Sequence, residues 1–201
     1  PFEVIHDKAL ASQDHLFKLI IIGDTGAQVL FDEESHGQRV QVGAQVTIGV
    51  EFGSYGLLVD QKVIKLQIWD TVSLDILFII ANTSVTGRLR VLQAVTRIFY
   101  RGAHCVFLTY DITRDETFLS LAEWLKEIKQ HAAEDVRIYL IGNKSELENQ
   151  REISFERALE FARNPVNGIH KVFETSAKTG QNVEEVFSCA GKELYYQVVQ
   201  E

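Results

Sequence analysis

Cysteine is scarce in this chain of 201 residues: only two, Cys105 and Cys189, stand far apart in the sequence. There is no CxxC pair, so both read as reduced core residues, not as a disulfide framework or a thiolate metal site. The six histidines (His6, His15, His36, His104, His131, His170) are scattered, with no metal-ligand spacing. Positive charge is also short. Lys and Arg number 20 against 28 Asp and Glu, a formal net charge of −8. Phosphate backbones need a basic face, so nucleic acid is disfavoured as the main partner; a nucleotide held by backbone amides is not. No apolar run approaches the ~20 residues that span a bilayer, and no signal peptide is visible. The chain therefore reads as cytoplasmic.

What is present is an ordinary globular composition, 46% hydrophobic and 24% charged, at a length that suits one α/β domain. Residues 1–15 are mixed and polar and read as an N-terminal extension, with a single domain over 16–201. Phe17-Lys-Leu-Ile-Ile-Ile-Gly23 is a short apolar run ending at glycine, as a buried parallel strand requires. Similar runs follow at Val63–Trp69, Ala103–Tyr110, Val136–Gly142 and Lys171–Thr175. Helical periods lie between them. Phe118, Leu121, Leu125 and Ile128 share one face behind a Thr113…Glu116 capping signature. Phe155, Ala158, Leu159 and Ala162 share another, with Ser154 as N-cap. Val183, Val186, Phe187, Ala190 and Leu194 form the last, behind Asn182…Glu185. Strands alternating with helices predict a three-layer, doubly wound, mostly parallel sheet, with ligands at the carboxyl ends of its strands.

The polar signals fall at those ends. Gly23-Asp24-Thr25-Gly26 follows the first strand. A phosphate loop reads G-x-x-x-x-G-K-S/T, its amides cradling phosphates, its lysine neutralising them and its hydroxyl binding Mg²⁺. Here Gln28, Val29 and Leu30 replace the last three residues. Taken alone, this is as well explained by an ordinary turn. Asp70 closes the second strand, where a carboxylate can hold Mg²⁺ or simply cap the strand. Asn143-Lys144-Ser145-Glu146 and Thr175-Ser176-Ala177-Lys178 close the fourth and fifth. This pair is specific. A carboxylate can accept both the ring N–H and the exocyclic amine of guanine, Asn143 can bond the base and neighbouring loops, the Lys144 stem can cover the base, and the Ala177 N–H can donate to the guanine carbonyl.

With these motifs the chain resembles the Rab family of small GTPases. The likeness also includes Thr47-Ile-Gly-Val-Glu-Phe-Gly53, Lys65–Thr71, Tyr100–Ala103 and Tyr110–Thr113, and it is closest to the Golgi and endosomal-recycling branch. The resemblance implies a P-loop small-GTPase fold that binds GTP or GDP with Mg²⁺ and hydrolyses GTP slowly. It implies effectors and regulators in vesicle trafficking. It also implies cycling between cytoplasm and Golgi or endosomal membranes, through a C-terminal lipid on a tail not found up to Glu201. The nucleotide contacts carried over are Gly23, Asp24, Thr25, Gly26, Asn143, Lys144, Glu146, Ser176, Ala177 and Lys178; Thr47 and Asp70 carry over as Mg²⁺ contacts.

The departures from the family are equally specific. The base-reading aspartate is Glu146, one methylene longer. The P-loop lysine is Val29 and the Mg²⁺ hydroxyl is Leu30. After Thr71 an atypical insert, Val72–Thr86, stands where the family's Ala-Gly-Gln-Glu belongs, so no catalytic residue is intact. Matches stop and restart abruptly, which suggests a reading-frame cause. Back-translated and read one base later, Val29-Leu30 with the end of the Gln28 codon permits Lys-Ser, Ser35–Val46 permits a Rab-like switch I, and Gly87–Gln93 permits Ala-Gly-Leu-Glu-Ser-Phe-Arg; Val72-Ser73 can be coded GTAAGT, the opening of an intron. The alternatives are a pseudo-GTPase that serves as a protein-interaction module and a non-functional product of a frame-shifted or intron-retaining gene model.

Overall fold

A computed structural model describes residues 2–5, 13–24, 51–70 and 99–200. Among the described residues seven strands form one sheet: β1 (Phe2–Ile5), β2 (His15–Gly23), β3 (Glu51–Val59), β4 (Lys62–Asp70), β5 (Cys105–Asp111), β6 (Arg137–Asn143) and β7 (Lys171–Glu174). Their order across the sheet is β1-β3-β4-β2-β5-β6-β7. From β4 to β7 every pairing is parallel, with β2 at the centre between β4 and β5. The helices are α1 (Asp115–Leu119), α2 (Leu121–His131), α3 (Phe155–Arg163) and α4 (Val183–Gln200).

The apolar run of β2 explains its central place. Successive side chains of a strand point to opposite faces, so a strand covered on both sides must be apolar at every position. Leu19 and Ile21 enter one core, with Leu66, Ile68, Phe107 and Tyr139 of the sheet and Val186, Phe187, Ala190 and Leu194 of α4. Ile20 and Ile22 enter the other, with Val106, Leu108 and Leu140 of the sheet, Leu121, Leu125 and Ile128 of α2 and Ala158 of α3. The result is the expected three-layer α/β arrangement.

Gly191 shows how closely α4 approaches the sheet: a Cβ there would meet Leu57 Cδ2 at 2.7 Å. A mid-helix glycine costs about 1 kcal/mol against alanine, and here that loss permits close packing. A buried hydrogen bond of 2.8 Å between the Tyr55 and Ser188 hydroxyls fixes the same contact.

The structure departs from the sequence reading in five places. Within the expected N-terminal extension, Phe2–Ile5 pairs antiparallel with β3 at the sheet edge. Segment 51–59, of which only 51–53 fall in a family match and the rest carry no assignment from the sequence, is a strand, and it runs antiparallel to β4. Asp60 and Gln61, both at positive φ, make the two-residue hairpin between them. Thr113 does not cap α1, whose N-cap position is Arg114; its hydroxyl instead donates to Asp111 at 2.6 Å. Asn182 does not cap α4 through its side chain, which donates to the Glu174 carbonyl at 2.8 Å. Phe155 is exposed, and Phe161 packs against the core in its place. Ser154 does cap α3, accepting from the Arg157 amide at 3.2 Å. Among the described residues no helix is long and apolar enough to cross a membrane.

Candidate functional site

The carboxyl ends of the parallel strands gather Gly23, Asp70, Asp111, Asn143 and the loop after Glu174 on one edge of the sheet. Gly23 sits at φ 150°, and a Cβ there would lie 2.3 Å from the Thr109 carbonyl oxygen. Only glycine lets β2 leave the sheet so close to β5. Asp24 follows, its carboxylate accepting from the Trp124 indole at 2.9 Å. Asp70 ends β4 opposite Ile21 and is 4% exposed. Thr25, Gly26, Gln28, Val29, Leu30, Thr47 and the insert 72–86 lie outside the described residues.

The other two motifs are brought together. Asn143 is buried, and its Oδ1 accepts the Ala177 amide at 3.1 Å and the Thr175 hydroxyl at 3.4 Å. Two backbone bonds lace the same loops: the Ser145 amide to the Thr175 carbonyl at 3.0 Å, and the Thr175 amide to the Gly142 carbonyl at 2.8 Å. Asn143 therefore joins the loops, as its place predicts. The Ala177 N–H, read as a donor to guanine, here donates to Asn143. The Ser176 hydroxyl closes its own turn by accepting from the Thr179 amide at 3.0 Å, while Lys178 is exposed.

Lys144 takes the left-handed conformation, φ 68° and ψ 34°. Its ammonium lies 2.5 Å from Asp111 Oδ2, leaving its side chain one-third exposed. Asp111, which the sequence reading places in the Tyr110–Thr113 match without giving it a role, is an organising residue of the site. Burial pushes its carboxyl up, but the Lys144 ammonium and the Thr113 hydroxyl and amide outweigh burial and hold it below the ordinary value. The only sequence signal for this role was an acid at the end of an apolar strand.

Glu146 stands in the short 3₁₀ turn that follows, Ser145–Gln150. Its Oε2 is buried and has no hydrogen-bond partner among the described residues. A buried carboxylate oxygen left unmatched costs free energy, so it is an acceptor suited to a ligand's N–H. The Glu146 acceptor therefore fits the N–H donors of a guanine base.

The phosphate side is different in its chemistry. Val29 carries no charge and Leu30 no oxygen, so the residues at those positions do not fit a phosphate–Mg²⁺ group. Among the described residues no cluster of three or more His, Cys, Asp or Glu could hold a metal. Sequence reasoning also missed Trp124 and Arg151, because their partners lie far along the chain.

The family model described as Ras family matches residues 18–196, from within the central strand into the last helix.

Proposed function

We propose, from the premise that this chain belongs to the Ras family, that it is a Rab-like switch whose guanine-reading half is sound and whose phosphate-reading half is impaired. Membership makes it a small-GTPase domain, and such a domain is a GTP-binding switch that works with GTP, GDP, regulators and effectors. The Rab branch is supported by the Thr47–Gly53, Trp69-Asp70-Thr71 and Tyr110–Thr113 stretches. On that reading its work is in vesicle trafficking between cytoplasm and Golgi or endosomal membranes, with Rab effectors as partners.

Glu146 carries the base-reading proposal. Its carboxylate, with one oxygen buried and unmatched among the described residues, accepts the paired N–H donors of guanine, which adenine does not offer in that arrangement. Asn143 holds the Ala177 loop in place, and the Lys144 stem, drawn over by Asp111, flanks the base. Mg²⁺, if it were held, would supply charge to neutralise the phosphates. Asp70 and Thr47 are the residues left to hold it, and no step is assigned to it with Val29 and Leu30 in place.

Calorimetry with guanosine, GDP and ADP tests this. Guanosine and GDP bind with similar affinity, and ADP is rejected. Glu146→Ala weakens guanosine by roughly 1.5–3 kcal/mol. ADP binding as tightly as GDP sinks the base-reading proposal. A second reading, a pseudo-GTPase that binds protein partners without turnover, is favoured by the same substitutions at Val29 and Leu30. It predicts that partner binding does not depend on which nucleotide is added.

A further inference from the structure

The turn that carries Glu146 buries no side chain in the hydrophobic core, and the strand leading into the second loop touches the core only through the partly buried Val172 and Phe173. The 3₁₀ turn Ser145–Gln150 has no buried residue and kinks at Leu147, φ −94° and ψ 39°. Strand β7 is four residues long, lies at the sheet edge beside β6 alone, and is only half-buried along its length. Its last residue, Glu174, is where the Ser176–Lys178 loop departs.

One guanidinium reaches both. Arg151 closes the 3₁₀ turn, its Nε donating to the two Glu148 carboxylate oxygens, each at 2.9 Å, and Nη2 to Oε2 at 2.7 Å. The same side chain grips Glu174 in fork fashion, Nη1 to Oε1 at 2.6 Å and Nη2 to Oε2 at 2.9 Å. Nη1 also donates to the Ile153 carbonyl at 2.9 Å. The three guanidinium nitrogens are thus all engaged, and the Arg151 and Glu174 side chains are each 18% exposed. Exposed ion pairs contribute little, but a sheltered bidentate pair adds both energy and a fixed geometry. The Glu174 carbonyl meanwhile accepts from Asn182, so this residue holds the second loop at its start and at its end.

We propose that Arg151 and Glu174 are positioning residues for guanine recognition, a clamp that holds the Glu146 turn and the Ala177 loop in register without touching the base. The guanine part rests on the function proposed above; the clamp stands on its own contacts. Lysine cannot replace Arg151, since a single ammonium cannot span two carboxylates and a carbonyl in this planar arrangement.

Hydrogen exchange on the protein without nucleotide decides the clamp. Arg151→Met and Glu174→Gln each speed exchange at the Ser145 and Ala177 amides by roughly tenfold or more, and Arg151→Lys gives an intermediate effect. The double variant adds little to either single one, since both remove one contact. Amides of Ile20 and Leu108 in the central strands are unchanged. Unchanged exchange at Ser145 and Ala177, or equal acceleration everywhere, overturns the clamp. Calorimetry then separates the two claims. In Arg151→Met, guanosine and GDP lose affinity by the same factor; full affinity in this variant also overturns the proposal. Wild-type protein that binds neither guanosine nor GDP overturns the guanine reading instead, and the exchange result alone then decides whether the clamp holds the loops.

Discussion

Asp24 and Trp124 are joined by a hydrogen bond of 2.9 Å from the indole N–H to the carboxylate, across 100 residues of chain. The first residue after β2 is thereby tied to α2, whose apolar face packs on that side of the sheet. The bond is partly sheltered and its acceptor is charged, which puts it among the stronger side-chain contacts.

Replacing Trp124 with Phe keeps much of the ring but removes the donor. The expected loss is about 1–2 kcal/mol in urea unfolding, since Asp24 then stands without the indole. An unchanged midpoint would show that the bond contributes nothing to stability.

This chain is expected to show no meaningful GTPase activity. Phosphoryl transfer depends on supplied charge and an oriented water, and the residues at positions 29 and 30 supply neither charge nor a metal ligand. Val29→Lys alone does not restore turnover, because the Leu30 hydroxyl and the switch II glutamine remain missing. Single-turnover release of γ-phosphate from GTP, with and without Mg²⁺, is the measurement. Mg²⁺-dependent release at an ordinary small-GTPase rate would overturn the impairment.

The Asp111–Lys144 pair makes stability depend on pH in one direction. The folded-state value of Asp111 lies below its ordinary 3.8, so the folded protein binds fewer protons here than the unfolded chain. The pair's contribution is full above that ordinary value and is lost as pH falls through the lower folded one. Asp111→Asn therefore destabilises by about 2 kcal/mol at pH 7, and the gap from wild type narrows below pH 3.8. Urea unfolding at neutral and acid pH checks the sign; a gap that widens in acid would refute it.

The messenger across codons 27–94 is expected to show a frame change and an intron boundary near codon 72, since, Glu146 apart, family matches fail within 27–46 and 72–93. A transcript that encodes these residues in frame would establish genuine divergence.

Local period made the central fold legible. The nearly continuous apolar run of β2 and the helical spacing of Leu121, Leu125 and Ile128 each record burial within a few residues of chain, and their apolar residues from Phe17 on are buried as expected. The edge was not legible in that way. Segment 51–59 mixes Gly53, Ser54 and Gly56 among its apolar residues, and pairs through Asp60 and Gln61 without a glycine in the turn. Its strand character comes from the neighbour it pairs with more than from its own pattern.

By itself the sequence determined which chemistry each strand end can offer. Carboxylate at 146, amide at 143, ammonium at 144, and aliphatic groups at 29 and 30 are facts of residue identity that no fold alters. Only the tertiary structure decided how those groups are held. Lys144 meets Asp111, Ala177 meets Asn143, and Arg151 meets Glu174 across separations that leave no local period. Backbone geometry sets helix and strand periods residue by residue, whereas polar contacts between loops depend on where parallel strands end in space. That placement follows from strand order and register, which the whole packed sheet fixes together.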